Sequence, residues 1–350
     1  MVWDLVGQER AISLLQRSLE TGSLAHAYLL VGPAHVGKMT LALNLAEALN
    51  CEGTEPPCGE CVSCQRIADG KHADIQVIDL GSVNGDSAES ESRVKISVEQ
   101  IEQMQHSASL PPFEGRCKVF ILDGAELLSI GAANRLLKTL EEPTGKVLFI
   151  LLTVNDQLLP ATVVSRCQRV ELAPLGTAEV ETALTNRWGV ESEKAKLLSR
   201  LSNGCLGWAV SAARDEQLLQ QRVEVLDRLL DITDAGYEQR FQYAAQLAGR
   251  FSQNRGTVRE ILDLWLDWWR DLLLVKVGCN DAITSVDRST QLAGMADGYT
   301  LDQIRVFIEN IRAAGEQLQL NANPQLALEV LMLSIPERAE SRTRHPTRGK

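Results

Sequence analysis

Long apolar runs are absent from this 350-residue sequence, in which no stretch approaches the roughly 18 apolar residues that a membrane-spanning helix needs. The N-terminal segment, MVWDLVGQER, also lacks the apolar core of a secretory signal peptide. Basic residues are outnumbered, with 35 Lys and Arg against 46 Asp and Glu, which gives a formal net charge of -11. We therefore expect a cytoplasmic globular protein without a generally basic nucleic-acid-binding surface. A local patch that faces DNA, or DNA contact made mainly by partners, is compatible with this charge.

One hydroxyl group is missing from the most informative motif. The segment LLVGPAHVGKMT follows the phosphate-binding P-loop pattern through Gly32, Gly37 and Lys38, between an apolar run and a periodic helix. The backbone N–H groups of such a loop wrap phosphates, and the lysine reaches the β- and γ-phosphates. The next residue should offer a hydroxyl to Mg²⁺, but this sequence has Met39 there. Thr40 is a poor substitute because one helical step turns its side chain about 100° away.

The second nucleotide-binding element is incomplete as well. The apolar segment 118–122 ends at Asp123, as expected for a strand that carries an acidic group to a nucleotide. Gly124 follows it, where hydrolysing sites usually have a Glu that activates water. Glu126 fits a solvated residue at the start of the next helix better than a base, and loss of a general base costs roughly 10²–10⁴ in rate. The sequence thus predicts a P-loop fold without efficient hydrolysis; retained ATP/Mg²⁺ binding and complete loss of binding are the two alternatives.

Four of the eight cysteines form a cluster with the spacing of a metal site: Cys51, Cys58, Cys61 and Cys64. In a cytoplasmic protein such a cluster indicates metal binding rather than disulfides. Four thiolates fill the tetrahedral coordination of Zn²⁺ and leave no position for a substrate, so we expect a structural zinc site. A reduced, metal-free loop and an iron–sulfur cluster are the alternatives.

Apolar runs alternate with helical periodicity in the first half of the chain, which predicts a mostly parallel α/β sheet flanked by helices. A polar loop is expected at 81–92, a capping box at Ser97 and Gln100, and a helix from Ser129 that stops at Pro143. The predicted strands are 27–31, 75–80, 118–122 and 147–153.

After Pro174 the pattern is helical only. Two tryptophans, Trp268 and Trp269, follow Trp265 by three and four residues. This helical spacing favours a buried stripe on one face of a helix over a base-stacking surface. The predicted helices are 177–187, 191–202, 207–214, 216–232, 236–252, 255–277, 300–319 and 323–334.

Five segments together resemble the bacterial DNA polymerase III clamp loader, an AAA+ family. The resemblance is specific over about residues 1–212 and looser through the helical part that follows. It implies a RecA-like nucleotide domain, a lid and a collar that joins subunits into a ring. The segments are, in order, Val6-Gly7-Gln8, the P-loop, the four cysteines, Asn134–Pro143 (NRLLKTLEEP) and Ser165-Arg166-Cys167.

Two kinds of subunit share this layout. This sequence departs from the motor kind at three positions, and these departures favour the other kind, in which the nucleotide site is degenerate. The motor kind, gamma/tau, has a complete P-loop, an Asp-Glu pair and a nucleotide-sensing Arg. This sequence has Met39, Gly124 and Gly207 at those positions, and it also lacks the long C-terminal extension expected of tau. An active motor of the gamma type is the first rival, a structural zinc scaffold without a nucleotide role is another, and a P-loop kinase for a small molecule is a distant one.

The resemblance also implies a role for Arg166 as an arginine finger that reaches the ATP of a neighbouring motor subunit. A planar guanidinium suits charge on a transferring phosphoryl group, although the local sequence alone favours a surface ion pair. Thr153 and Asn155 fall where such folds place a γ-phosphate sensor. The implied partners are gamma/tau motor subunits, the delta subunit and, through them, the sliding clamp and primed DNA, with no membrane.

We therefore predict three domains and a tail. The division is residues 1–173 for the nucleotide domain with its zinc module at 51–64, 174–213 for the helical lid, 214–335 for the helical collar and 336–350 for a disordered tail.

Overall fold

The computed structural model describes residues 3–80, 95–142, 146–320 and 322–338. The expected polar loop at 81–92, the expected helix stop at Pro143 and residues 339–350 of the expected tail lie outside these ranges.

The chain forms two compact units. Residues 1–190 and 204–210 make the first unit, and residues 191–203 and 211–350 make the second. The finer division into a nucleotide domain, a lid and a collar stays a prediction.

A parallel sheet of five strands lies at the centre of the first unit, in the order β2-β3-β4-β1-β5. Four of the strands were predicted, and the parallel α/β class is confirmed. The edge strand β5 was missed because Val170 is its single buried residue, so it presents no apolar run. The strands are Ala27–Val31 (β1), Ile75–Ile78 (β2), Lys118–Asp123 (β3), Val147–Thr153 (β4) and Gln168–Glu171 (β5).

Successive side chains of each strand point to opposite faces of the sheet, and each face has its own hydrophobic core. In β3, Phe120 and Leu122 pack into one core and Val119 and Ile121 into the other, as the two-residue period of a strand requires. Helices α4 and α5 supply the first core, and α1 and α2 the second. The helices of this unit are Glu9–Glu20 (α1), Lys38–Asn50 (α2), Val62–Ala68 (α3), Val98–Ser109 (α4), Ile130–Glu141 (α5), Ala161–Val164 (α6) and Thr177–Trp188 (α7).

The predicted capping box at the start of α4 is confirmed. The Ser97 hydroxyl accepts a hydrogen bond from the Gln100 amide, and the Gln100 side chain accepts one from the Ser97 amide at 2.9 Å. Two N–H groups that the first helical turn cannot satisfy are thereby paired.

The second unit contains helices and no strand among its described residues. The three tryptophans are fully buried, which confirms the core interpretation over base stacking. Trp265 stacks on Tyr243, and Trp269 and Phe307 pack in a T-shaped arrangement at a centroid distance of 4.7 Å. The remaining helices are Ser192–Leu201 (α8), Leu206–Arg214 (α9, which begins in the first unit), Glu216–Asp234 (α10), Tyr237–Gln253 (α11), Arg255–Lys276 (α12), Ser289–Ala296 (α13), Leu301–Gln319 (α14) and Pro324–Leu333 (α15).

Within the described ranges, no helix is both long enough and apolar enough to cross a membrane.

Candidate functional site

The P-loop lies at the carboxyl end of β1, a strand that pairs with β4 on one side and with the edge strand β5 on the other. Ligands of open parallel sheets bind at such carboxyl ends. Gly37 caps helix α2 with a φ of 107°, a left-handed conformation that glycine adopts without strain. Gly32 approaches the residue after β5 so closely that a Cβ atom there would lie 2.5 Å from the carbonyl oxygen of Leu172. Both motif glycines are thus required by the backbone path.

Lys38 is folded back onto its own loop. Its Nζ atom donates to the carbonyl oxygens of Gly32 at 2.6 Å and Pro33 at 2.7 Å, and the side chain is buried. Asp123 lies at the end of β3 within electrostatic reach of this ammonium. Partial burial raises the pKa of the Asp123 carboxyl, Lys38 opposes that rise, and the neighbouring Asp79 adds to it. The lysine and the acid of the two predicted nucleotide-binding elements are therefore close enough to interact electrostatically.

Met39 is partly buried and packs against the core that α2 forms with the sheet. A thioether in this position offers an apolar contact and no hard oxygen ligand, which Mg²⁺ requires. The residue therefore serves the packing of α2 rather than a metal at the phosphates.

The start of α9 lies directly on the P-loop. The Gly207 amide donates to the carbonyl oxygen of His35 at 2.9 Å. His35 itself has a φ of 60°, which is uncommon for a residue with a side chain. A Cβ atom on Gly207 would lie 2.7 Å from the same oxygen, so this contact has no room for a side chain.

Two hydrogen bonds join Thr153 and Asn155 at the end of β4. The buried Thr153 hydroxyl donates to the Asn155 carbonyl at 3.0 Å and accepts from the Asn155 amide at 3.2 Å. The Asn155 side chain accepts from the amide of Gln157. These polar groups close a local turn.

The four cysteines of the cluster converge, with all their sulfur atoms within 4.8 Å of one another. Tetrahedral Zn–S bonds of about 2.3 Å would place the sulfurs ~3.8 Å apart, so the four thiols could hold a metal ion after a small contraction. Three of the sulfurs already accept hydrogen bonds from backbone amides. The Gly53 amide donates to Cys51, the Cys61 amide to Cys58 and the Cys64 amide to Cys61.

The amides favour a thiolate at Cys61. Burial alone would raise the pKa of this thiol, but hydrogen bonds from the backbone of Cys64 and Glu52 lower it to about 6. In contrast, burial raises the pKa of Cys64. A cation at the centre would supply the charge that lets both ionise.

Two buried polar side chains fix the segment before β3 beside the cysteine cluster. Asn50, next to Cys51, accepts from the amides of Arg116 and Cys117 through Oδ1. Asp74 accepts three backbone amides, at 2.7 Å, 2.8 Å and 2.7 Å, from residues 113–115. The sequence analysis missed both residues, because their partners lie 39 to 67 positions away along the chain.

Arg166 lies just after α6, at the surface of the first unit. Its Nη2 atom donates to Glu141 Oε1 at 2.5 Å, and its Nη1 atom donates to the Thr162 carbonyl at 2.9 Å. The surface ion pair that the local sequence favours is thus present, and the side chain still exposes about a third of its surface.

Comparisons with known proteins find similarity to subunits of DNA polymerase III. A family model described as DNA polymerase III, delta subunit, matches residues 7–176. DNA polymerase III subunit delta' of Bacillus subtilis is 29% identical over 94% of this chain and 96% of its own length. DNA polymerase III subunit tau of the same organism is 26% identical over 95% of this chain and 61% of its own length.

A second tau subunit is more similar over a shorter region. That of Escherichia coli is 35% identical over 65% of this chain, and the match covers 36% of its own length. The chain therefore corresponds to nearly the whole of one delta' subunit and to part of each tau subunit. It is a homologue of the delta' and tau/gamma clamp-loader subunits of DNA polymerase III.

Proposed function

We propose that this chain acts as a delta'-type clamp-loader subunit, as a stator and arginine-finger donor rather than a motor. The observation that carries the proposal is the structure around the P-loop. Met39 belongs to the core of α2, and Gly207 leaves no room for a sensing side chain against His35. Lys38 donates to carbonyls of its own loop. A site built this way has the shape of a nucleotide site without the groups that drive hydrolysis.

The catalytic group would be Arg166, acting on ATP bound to a neighbouring subunit. Its guanidinium is at the surface, follows a single-turn helix and is positioned by hydrogen bonds, so it can meet a phosphate on another chain. A guanidinium that stabilises the charge of a transferring phosphoryl group is worth roughly 10³–10⁵ in rate. Such a chain would lack efficient hydrolysis itself and still be required for hydrolysis next to it.

The metal of the cysteine cluster would be Zn²⁺, with a structural role. Four sulfur ligands match zinc, and they fill its coordination so that no catalytic position remains. Asn50 and Asp74 would then join the zinc module to the sheet through the segment before β3. Zinc would fix a surface rather than perform chemistry.

The partners would be gamma/tau motor subunits and a delta subunit in a ring in the cytoplasm. Through that ring the chain would help open the sliding clamp and place it on primed DNA. The net charge of -11 is consistent with DNA contact made mainly by the partner subunits.

Purified protein separates this proposal from the gamma-type motor. The isolated chain should show no magnesium-dependent ATP turnover above background, and addition of its motor subunits, clamp and primed DNA should yield turnover that depends on Arg166. Motor-like turnover by the isolated chain would overturn the proposal and favour the rival, to which the identity with tau subunits also points.

A further inference from the structure

The guanidinium of Arg166 is held from two sides by different elements. Glu141, the last residue of α5, accepts from Nη2, and the carbonyl of Thr162 in α6 accepts from Nη1. Ser165 adds a donor to the same Thr162 carbonyl. The arginine thus bridges the end of α5 and α6, and its partner Glu141 lies 25 positions before it along the chain.

Glu141 occupies a position that helix electrostatics disfavour. The carbonyl end of a helix carries partial negative charge, so a carboxylate in the last turn of α5 is repelled unless a cation compensates it. Arg166 forms an ion pair with this carboxylate, and Lys138 adds a second positive charge in the same turn. A residue that violates a local preference while it contacts a functional group is a candidate for a functional role itself.

The ion pair between Arg166 and Glu141 contributes little to the stability of the fold. Both side chains are partly exposed, with 34% of Arg166 and 50% of Glu141 accessible. Ion pairs of this exposure contribute little to folding because water and salt screen them. The pair therefore has more consequence for where the guanidinium points than for whether the chain folds.

We propose that Glu141 is a positioning residue that orients Arg166 for the ATP of the neighbouring subunit; this inference rests on the proposed function. A free arginine side chain samples many rotamers, and ordering it at the moment of catalysis would reduce the rate. The guanidinium fork has five N–H donors, so it can bind a phosphoryl oxygen while Glu141 still holds Nη2. Glu141 would accordingly act through Arg166 and would not touch the nucleotide.

The test uses the complete loader, reconstituted from this chain with its motor subunits, clamp and primed DNA. Glu141→Gln removes the charge, and Glu142→Gln removes the same charge from the adjacent exposed carboxylate as a matched control. The cost of ordering one long side chain predicts that E141Q lowers kcat for ATP hydrolysis about three- to tenfold. The KM for ATP should stay unchanged because the lost interaction belongs to the transition state.

Three further readouts separate positioning from a structural effect. E142Q should retain the kcat of the unmodified loader, and Glu141→Asp should recover part of what E141Q loses. The melting temperature of the isolated chain should be the same for E141Q and E142Q. In an Arg166→Ala background, E141Q should cause no additional loss, since it acts only through the arginine.

An unchanged or increased kcat for E141Q would overturn the inference while the role of Arg166 stands. So would a loss of equal size in the Arg166→Ala background, or a loss accompanied by a lower melting temperature. If Arg166→Ala itself leaves hydrolysis unchanged, the proposed function fails and this inference fails with it.

Discussion

The Gly207 amide donates to the His35 carbonyl oxygen at 2.9 Å, and a Cβ atom on Gly207 would lie 2.7 Å from that oxygen. This contact fixes the start of α9 on the P-loop by backbone atoms alone. A backbone carbonyl cannot turn aside as the end of a flexible side chain can. The absence of a side chain at position 207 is therefore a requirement of this loop conformation.

Gly207→Arg should destabilise the first unit by about 2 kcal/mol, because the loop must shift to admit the side chain. It should not create ATP turnover, since Met39 and Gly124 remain unsuited to hydrolysis. Calorimetric unfolding and a magnesium-dependent ATPase assay measure the two effects. Gly249→Ala is the control, because a Cβ there meets nothing within 4 Å; it should stabilise α11 by about 0.5–1 kcal/mol. Unchanged unfolding together with new turnover in the Gly207→Arg variant would contradict this account.

The cysteine cluster should bind one zinc ion and lose it in acid. Hydrogen bonds from backbone amides outweigh burial and lower the pKa of Cys61 to about 6 without metal, so the thiolate that binds metal is available at neutral pH. Bound zinc stabilises the thiolates further, so zinc content by atomic absorption should hold at pH 6 and drop only at lower pH, and Cys58→Ser should lower it at pH 7. Cys279→Ser, at an exposed cysteine outside the cluster, should leave the zinc content unchanged. Full zinc retention in Cys58→Ser would refute the four-thiolate site.

Asp74 should be among the most sensitive positions of the first unit. Asp74→Ala leaves three amides of residues 113–115 without their acceptor and should cost about 3 kcal/mol, whereas Asp69→Ala, at an exposed position, should cost less than about 0.5 kcal/mol. Burial opposes ionisation, but the amides of Phe113, Gly115 and Glu114 hold the pKa of the Asp74 carboxyl below its usual range.

The sign of the pH effect follows from that lowered pKa. The contribution of Asp74 is complete above the ordinary carboxyl pKa near 4 and is lost as the pH falls through the lower folded-state value. Denaturant unfolding from pH 6 to pH 3 should therefore show a steeper loss of stability for the unmodified chain than for Asp74→Ala. Parallel curves would show that the amide contacts do not contribute as described.

The features that the sequence predicted are those that local patterns encode. The four apolar strands, the helices after Pro174 and the Ser97 capping box depend on residues within a few positions of each other. The cysteine cluster was predictable for the same reason, because its spacing is itself the signal. The helix α13 was missed, since its eight residues include Gly294 and give a weak periodic pattern.

The features that the sequence did not predict depend on contacts between distant segments. Nothing near Gly207 indicates that His35 will lie against it, and Glu141 and Arg166 are far apart along the chain. Position 207 could be noted only as a departure from a family pattern. The one local signal for Glu141 is an acidic residue at the carboxyl end of a helix, where a basic residue is favoured.

The most direct test of the central claim is the steady-state rate of ATP hydrolysis by the reconstituted loader with Arg166→Ala. Arg169→Ala is the matched control, because Arg169 is also exposed and ion-paired, to Asp156 at 2.6 Å and Glu171 at 2.9 Å. We predict that Arg166→Ala lowers kcat roughly tenfold or more, and that Arg169→Ala changes it by less than about twofold. Equal rates for the two variants, or turnover by the isolated chain at a motor's rate, would contradict the account.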